Sequence, residues 1–389
     1  MTFQEELAKE LTGLQELGRF RSLRNIAQLP GGRAELDGKV YCNLSGNDYM
    51  GISCNPELRK EFYAQFPDLS TPELAQSAAS SRLLTGNTPA YERLEHTLST
   101  LLYPGRSALV FNSGYHANLG ILPALTGSKD LILSDKLNHA SIIDGMRLCE
   151  AEFRRYRHCD LDHLEKLLRE AQGKYRRIFI ISESIFSMDG DAPDLRRLAE
   201  LKKTYDAVLL LDEAHAVGLR GPRGAGLAAE CGILDDVDVL IGTFGKAFGS
   251  TGAYAAVSPE LRSFLINRMR PLIFTTGLPP VVLNWSDFVL RRCAAMDAER
   301  QHLRNMGIRL REIFRNAGGK TMDGDSQIVP LTIGGDKEAL AAAEKFREAG
   351  QLVFAIRPPT VPQGTCRLRF SLSAAHTDAD IEAIGQVLA

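Results

Sequence analysis

The chain has 389 residues, enough for two hydrophobic cores or one large domain with a smaller one. Its 46 basic and 48 acidic residues leave a formal net charge of −2, which gives no basic field for nucleic acid or for an anionic membrane. The seven cysteines are scattered, with no Cys-x-x-Cys pair, and suggest neither a disulfide framework nor a zinc site.

The N-terminal stretch carries charge from Glu5 onward and lacks the apolar core of a signal peptide. No apolar run approaches the roughly 18 residues of a membrane span, so a soluble cytoplasmic protein is expected. Residues 3–20 place Phe3, Leu7, Leu11, Leu14 and Leu17 at spacings of three and four. That stripe predicts an amphipathic helix, packed on the chain's own body or on a partner subunit. A turn-rich passage (Pro30-Gly31-Gly32, Asp37-Gly38) leads to a short predicted strand at 40–44.

From about residue 90 short apolar runs recur at 108–111, 131–133, 178–181, 208–211, 237–241 and 253–257. Helical stretches such as 161–171 and 195–205 separate most of them. Strands apolar on both faces, alternating with helices, predict an α/β fold with a mostly parallel sheet covered on each side. Ligands of such sheets bind at the carboxyl ends of the strands. After about 285 the pattern changes to a helical region at 287–316, a strand at 328–333 and an alanine-rich helix at 337–348. Strands near 352–356 and 367–372 and a last helix from Asp378 complete a smaller α+β domain. The expected division is an N-terminal helix and strand segment at 1–50, a large domain at 51–285 and a small one at 286–389.

The strand ends carry the chemistry. The first runs into Asn112-Ser-Gly-Tyr-His-Ala-Asn118, where a glycine turn and a helix start offer amide N–H groups to a phosphate. The second ends in Ser134-Asp-Lys-Leu-Asn-His-Ala-Ser141, whose His139 is either a loop residue or a flat ring for stacking. The third ends in Ser182-Glu-Ser-Ile-Phe-Ser-Met-Asp-Gly190, with three hydroxyls and two carboxylates. The fourth ends in Asp212-Glu-Ala-His215, and an acid at the end of a buried strand needs a cation. A metal would want a third ligand, and the chain offers none at a supporting spacing, so no metal is expected. A protonated pyridine nitrogen is the other cation that suits a carboxylate there. The fifth ends in Gly242-Thr243-Phe-Gly-Lys246-Ala-Phe-Gly249. A lysine among small residues at a strand edge is desolvated and nucleophilic as the free amine. Its spacing fails the phosphate-loop pattern, which disfavours nucleotide hydrolysis. A phosphate cradle, a stacking ring, a carboxylate and an amine on successive strand ends together describe pyridoxal phosphate (PLP).

The segments Asn138-His-Ala-Ser141, Asp212-Glu-Ala-His215 and Thr243-Phe-Gly-Lys246 closely resemble the α-oxoamine synthases, from about Arg21 to the C-terminus. These are fold-type I PLP enzymes that join an amino acid to an acyl thioester with loss of carbon dioxide. The resemblance implies that Lys246 binds the cofactor as a Schiff base, that Asp212 partners the ring nitrogen and that His215 bonds to the phenolic oxygen. His139 is similar to the ring-stacking histidine, and Gly114 and Tyr115 match the phosphate loop. Ser187 and Thr243 match hydroxyls around the cofactor. Thr275 and Thr276 resemble the phosphate contacts supplied by a second subunit, which implies a homodimer with shared sites.

Within the family, Ala355-Ile-Arg-Pro-Pro-Thr-Val-Pro362 looks most like the branch that joins L-alanine to a pimeloyl thioester, from CoA or a carrier protein, in biotin biosynthesis. Arg357 and Thr360 fall on that branch's substrate-loop positions. Arg369 resembles the arginine that clamps the amino acid carboxylate, and Arg21 and Asn47 match N-terminal substrate contacts. Other branches use glycine with acetyl-CoA, make 5-aminolevulinate, or join serine to a palmitoyl thioester. Ser45-Gly46-Asn47 replaces the more usual Ser-Ser-Asn, and Asn138-His139 resembles the glycine–acetyl-CoA and 5-aminolevulinate branches as much as the biotin one. An ordinary aminotransferase would lack the combination of Asp212, His215 and His139, and a catalytically silent partner subunit would lack Lys246.

Overall fold

Strands that bury both faces need continuous apolar runs, and in a computed structural model describing residues 1–388 the predicted runs assemble into one seven-stranded sheet. Its order is Ser107–Phe111, Ala253–Val257, Val239–Thr243, Val208–Asp212, Ile178–Glu183, Leu131–Asp135 and Glu152–Tyr156. From Val239–Thr243 to Glu152–Tyr156 every neighbour is parallel. Ala253–Val257 alone runs against both of its neighbours. This is the mostly parallel α/β sheet expected. One face carries a core of Leu109, Ile132, Ile181, Leu210 and Ile241, packed on Ile121, Met146 and Met269. The alternate side chains Leu133, Ile180, Leu209, Leu211 and Leu240 are wholly buried too. The edge strand Glu152–Tyr156 escapes sequence patterning because Glu152, Arg154 and Arg155 break its apolar run.

The sheet belongs to a compact unit of Asp48–Ser187 and Asp191–Gln301. Helix starts in it are set by side-chain caps: Asp160 accepts from His163 N at 2.8 Å and Asp194 from Arg197 N at 3.1 Å. The predicted helical region 287–316 is two helices, Pro280–Cys293 and Asp297–Asn316. Arg300 donates to the carbonyls of Cys293 (2.6 Å) and Ala294 (3.3 Å), satisfying acceptors that the end of the first helix leaves open.

The second unit comprises Met1–Asn47, Met188–Gly190 and the chain from His302 onward. Three antiparallel strands, Ile26–Leu29, Arg33–Leu36 and Lys39–Asn43, are joined by a parallel Gln351–Leu352. A second sheet pairs Cys366–Ser371 with Ile328–Gly334 and Ala355–Ile356. The predicted strand at 352–356 is thus two short strands in different sheets. The rings of Phe314 and Phe346 meet Phe370 edge-on at 5.0 and 5.1 Å. The predicted N-terminal helix forms as Phe3–Glu16, closed by a Thr2–Glu5 capping box. Its apolar stripe buries no residue against the chain itself. Among the described residues no helix is long and apolar enough to cross a membrane.

Candidate active site

Asp212 closes the strand Val208–Asp212 and is only 6% exposed. Its Oδ1 accepts from Ala214 N at 2.9 Å and its Oδ2 from Asn118 Nδ2 at 2.7 Å. Both donors are neutral, so neither offsets the carboxylate's charge. Asn118 Nδ2 also donates to Ser141 Oγ at 3.0 Å, and Ser141 Oγ lies 2.7 Å from His139 Nδ1. Asn118 can reach Ser141 because residue 145 is glycine. A Cβ there would stand 2.3 Å from the Asn118 carbonyl and drive apart the helices Gly114–Leu125 and Ala140–Arg147.

His139 caps the helix Ala140–Arg147 by accepting from Ser141 N through Nδ1 at 3.2 Å. Burial holds the pKa of this ring below the usual imidazole value; the nearby Asp212 opposes the shift and Lys246 adds to it. An accepting Nδ1 fits a neutral ring with its proton on Nε2. The His139 N–H donates to Glu183 Oε1 at 2.6 Å. Glu183 is fully enclosed, and burial followed by the Asp212 charge pushes its carboxyl well above the ordinary range.

Lys246 stands in the turn after Val239–Thr243, with Nζ 3.0 Å from His215 Nε2. The opposite nitrogen of that ring, Nδ1, lies 2.7 Å from the hydroxyl of the wholly buried Tyr49. Thr243 shapes the lysine turn, donating from Oγ1 to Gly252 O at 3.0 Å and accepting from Gly245 N at 3.2 Å.

The helix Gly114–Leu125 begins with Ser113 accepting from His116 N at 3.2 Å. Beyond its own helix and chain neighbours, no described residue lies within 4 Å of where a Gly114 Cβ would be, so the positive end of this helix faces open space. Tyr115 is exposed, and its hydroxyl donates to Asp144 Oδ2 at 2.5 Å. Asn112 Nδ2, ahead of this helix, donates to the Thr276 carbonyl at 2.8 Å. Ser187 is half-buried in the turn that follows Ile178–Glu183.

An amine, a carboxylate with neutral partners, a neutral imidazole and an open helix N-terminus are the donor set that PLP requires. The buried Asn118 Oδ1, which has no partner, adds an unsatisfied acceptor to the network. The predicted residues of this unit therefore fit that cofactor. Tyr49, Asn118, Ser141 and Glu183 join them, although the sequence singled out none of the four. Asn118, Ser141 and Glu183 lie inside the strand-end motifs, which was a usable signal; Tyr49 carried none.

The remaining predicted residues belong to the second unit and form two groups. Arg369, buried in the strand Cys366–Ser371, donates to Asn47 Oδ1 at 3.2 Å. Arg21 donates to Thr360 Oγ1 at 3.3 Å. Arg21 and Arg357 also line a cavity of about 330 Å³ with Arg24, Arg347 and Phe354.

A family model for aminotransferase class I and II matches residues 39–388. The 8-amino-7-oxononanoate synthase of Chlorobaculum parvum is 50% identical over 389 residues, covering 100% of this chain and 99% of that protein. A solved serine palmitoyltransferase from S. paucimobilis, with a bound PLP–myriocin aldimine, superposes with a TM-score of 0.89 at 28% identity, over 100% of this chain and 98% of that one. The crystal structure of an 8-amino-7-oxononanoate synthase from Francisella tularensis matches with a TM-score of 0.73 at 26% identity, covering 89% and 96%.

Proposed function

The chain belongs to the α-oxoamine synthases of the aminotransferase class I and II family and is a PLP-dependent acyltransferase, and from that premise we propose that it condenses L-alanine with a pimeloyl thioester. The products are 8-amino-7-oxononanoate, carbon dioxide and a free thiol, as a step of biotin biosynthesis. The observation that carries this choice of substrates is the 50% identity to an 8-amino-7-oxononanoate synthase across the full chain.

When bound, the cofactor supplies an electron sink at the amino acid α-carbon. Lys246 Nζ would anchor it and, as a free amine, would take the α-proton of the amino acid as the base. Asp212, supported by the Asn118 and Ala214 donors, partners the ring nitrogen. His215, oriented by Tyr49, bonds to the phenolic oxygen. His139 stacks on the ring, kept neutral by burial and held in place by Ser141. Gly114 and Tyr115 receive the phosphate at the helix start, with Ser187 and Thr243 as further hydroxyl contacts. Arg369 clamps the amino acid carboxylate, a bidentate task suited to guanidinium. Asn47, Arg21, Arg357 and Thr360 complete the substrate contacts.

The working unit is a cytoplasmic homodimer in which Thr275 and Thr276 of one protomer serve its partner's cofactor. A second reading, serine with a long acyl thioester, draws on the higher TM-score of the serine palmitoyltransferase. A thiol-release assay crossing alanine, glycine and serine with pimeloyl-, acetyl-, succinyl- and palmitoyl-CoA separates them. Highest kcat/KM for alanine with pimeloyl-CoA is expected; preference for glycine, or for serine with palmitoyl-CoA, would overturn the assignment.

A further inference from the structure

Ser187 sits in a loop whose flanking residues are held by one imidazole. His158 Nδ1 lies 2.9 Å from Asp135 Oδ1, and its Nε2 lies 2.8 Å from Asp191 Oδ2. The same ring meets Phe186 edge-on, with centroids 4.4 Å apart and planes at 89°. Phe186 N donates to Asp191 O at 2.9 Å and closes the loop that carries Ser187. Asp135 is a fixed anchor: it ends the strand Leu131–Asp135, is buried, and accepts from the amides of Leu137 and Cys159, each at 2.8 Å.

Two carboxylates facing the two nitrogens of one ring require both nitrogens to donate, which makes His158 an imidazolium. Burial pulls its pKa down, but the bonds to Asp135 and Asp191 outweigh burial and push it up to about 12. The other Asp191 oxygen, Oδ1, is buried without a partner. His158 therefore holds down a carboxylate that, left unpaired, would pull the loop toward water.

We propose that His158 is a positioning residue, an imidazolium bridge from Asp135 to Asp191 that fixes the loop between Phe186 and Asp191 and so places the Ser187 hydroxyl at the cofactor. This rests on the reading of Ser187 as a cofactor contact. A metal ion is the competing explanation, because ligand atoms of Asp135, His158 and Cys159 lie within 4.8 Å of one another. The nitrogen–oxygen separations of 2.8 and 2.9 Å are those of hydrogen bonds, and a nitrogen that holds a metal cannot also donate.

The test is a double-mutant cycle on the holoenzyme with His158→Gln, Ser187→Ala and the pair, reading the cofactor dissociation constant, its absorption band and kcat. His158→Gln should weaken cofactor binding about tenfold, the scale of one charge-assisted hydrogen bond, and shift the band. In the Ser187→Ala background the same change should alter binding less than twofold. Asp191→Asn, which keeps the side chain's shape, should act in the same direction and serves if His158→Gln does not fold. Undiminished loss in the Ser187→Ala background, unchanged cofactor binding in His158→Gln, or one equivalent of metal in the purified protein would each overturn the bridge. Unchanged cofactor binding in Ser187→Ala alone would instead remove the Ser187 contact, and the proposal with it.

Discussion

Tyr49→Phe removes a single oxygen from a fully buried position. The hydroxyl lies 2.7 Å from His215 Nδ1, and the same ring presents Nε2 to Lys246 Nζ at 3.0 Å. Phenylalanine fills the same volume, so packing is retained. The loss is the hydrogen bond together with the desolvation of the nitrogen that it served, about 1–3 kcal/mol for a buried group. That corresponds to roughly 5- to 150-fold in an equilibrium constant. Because His215 is proposed to bond to the cofactor's phenolic oxygen, the cofactor dissociation constant should rise by that factor. The assay is a titration of apoprotein with PLP followed by absorbance, with a thermal melt to confirm folding. Affinity within twofold of wild type in Tyr49→Phe, alongside a large loss in His215→Ala, would refute the orienting role of Tyr49.

Arg369→Lys keeps the charge but loses the planar fork; KM for the amino acid should rise about tenfold or more, and an unchanged KM would remove Arg369 from the carboxylate site. Gly226 has φ +111°, and a Cβ there would stand 1.8 Å from Glu213 Oε2, which accepts from Leu227 N at 2.7 Å. Gly226→Ala should therefore cost about 2–4 kcal/mol in urea unfolding, from backbone strain plus a displaced carboxylate, and a cost under ~0.5 kcal/mol would contradict the packing. His376 is held neutral by burial, which pulls its pKa down to about 4 against the opposing charge of Asp380. Its folded pKa lies below the unfolded value of about 6.5, so its contribution is present above that value and is lost as pH falls toward 4. Stability should drop by up to ~1.4 kcal/mol per pH unit in that window, and His376→Gln should flatten the profile.

What the sequence made legible follows from where the chain is forced to be apolar. The strands ending at Asp135, Glu183, Asp212 and Thr243 are buried on both faces, so each reads as an unbroken run, and the polar residue that stops it marks a ligand edge. Glu152–Tyr156 broke that rule because an edge strand tolerates its arginines. The network behind the site was hidden for a different reason. Asn118 reaches Asp212 across 94 positions and Tyr49 reaches His215 across 166, through tertiary packing that no local spacing encodes. Gly145 shows the same limit: one missing Cβ permits the Asn118–Ser141 bond, yet in the sequence it is one glycine among 34. The two short strands Gln351–Leu352 and Ala355–Ile356 read as one because only their partners separate them.

Lys246, as the residue that anchors the cofactor, is central to the proposed chemistry. Borohydride reduction of the PLP-loaded protein, followed by proteolysis and mass spectrometry, tests this directly. One reduced pyridoxyl phosphate per chain is expected, on the peptide containing Lys246, and none in Lys246→Ala. A label on another lysine, or wild-type turnover by Lys246→Ala, would contradict it.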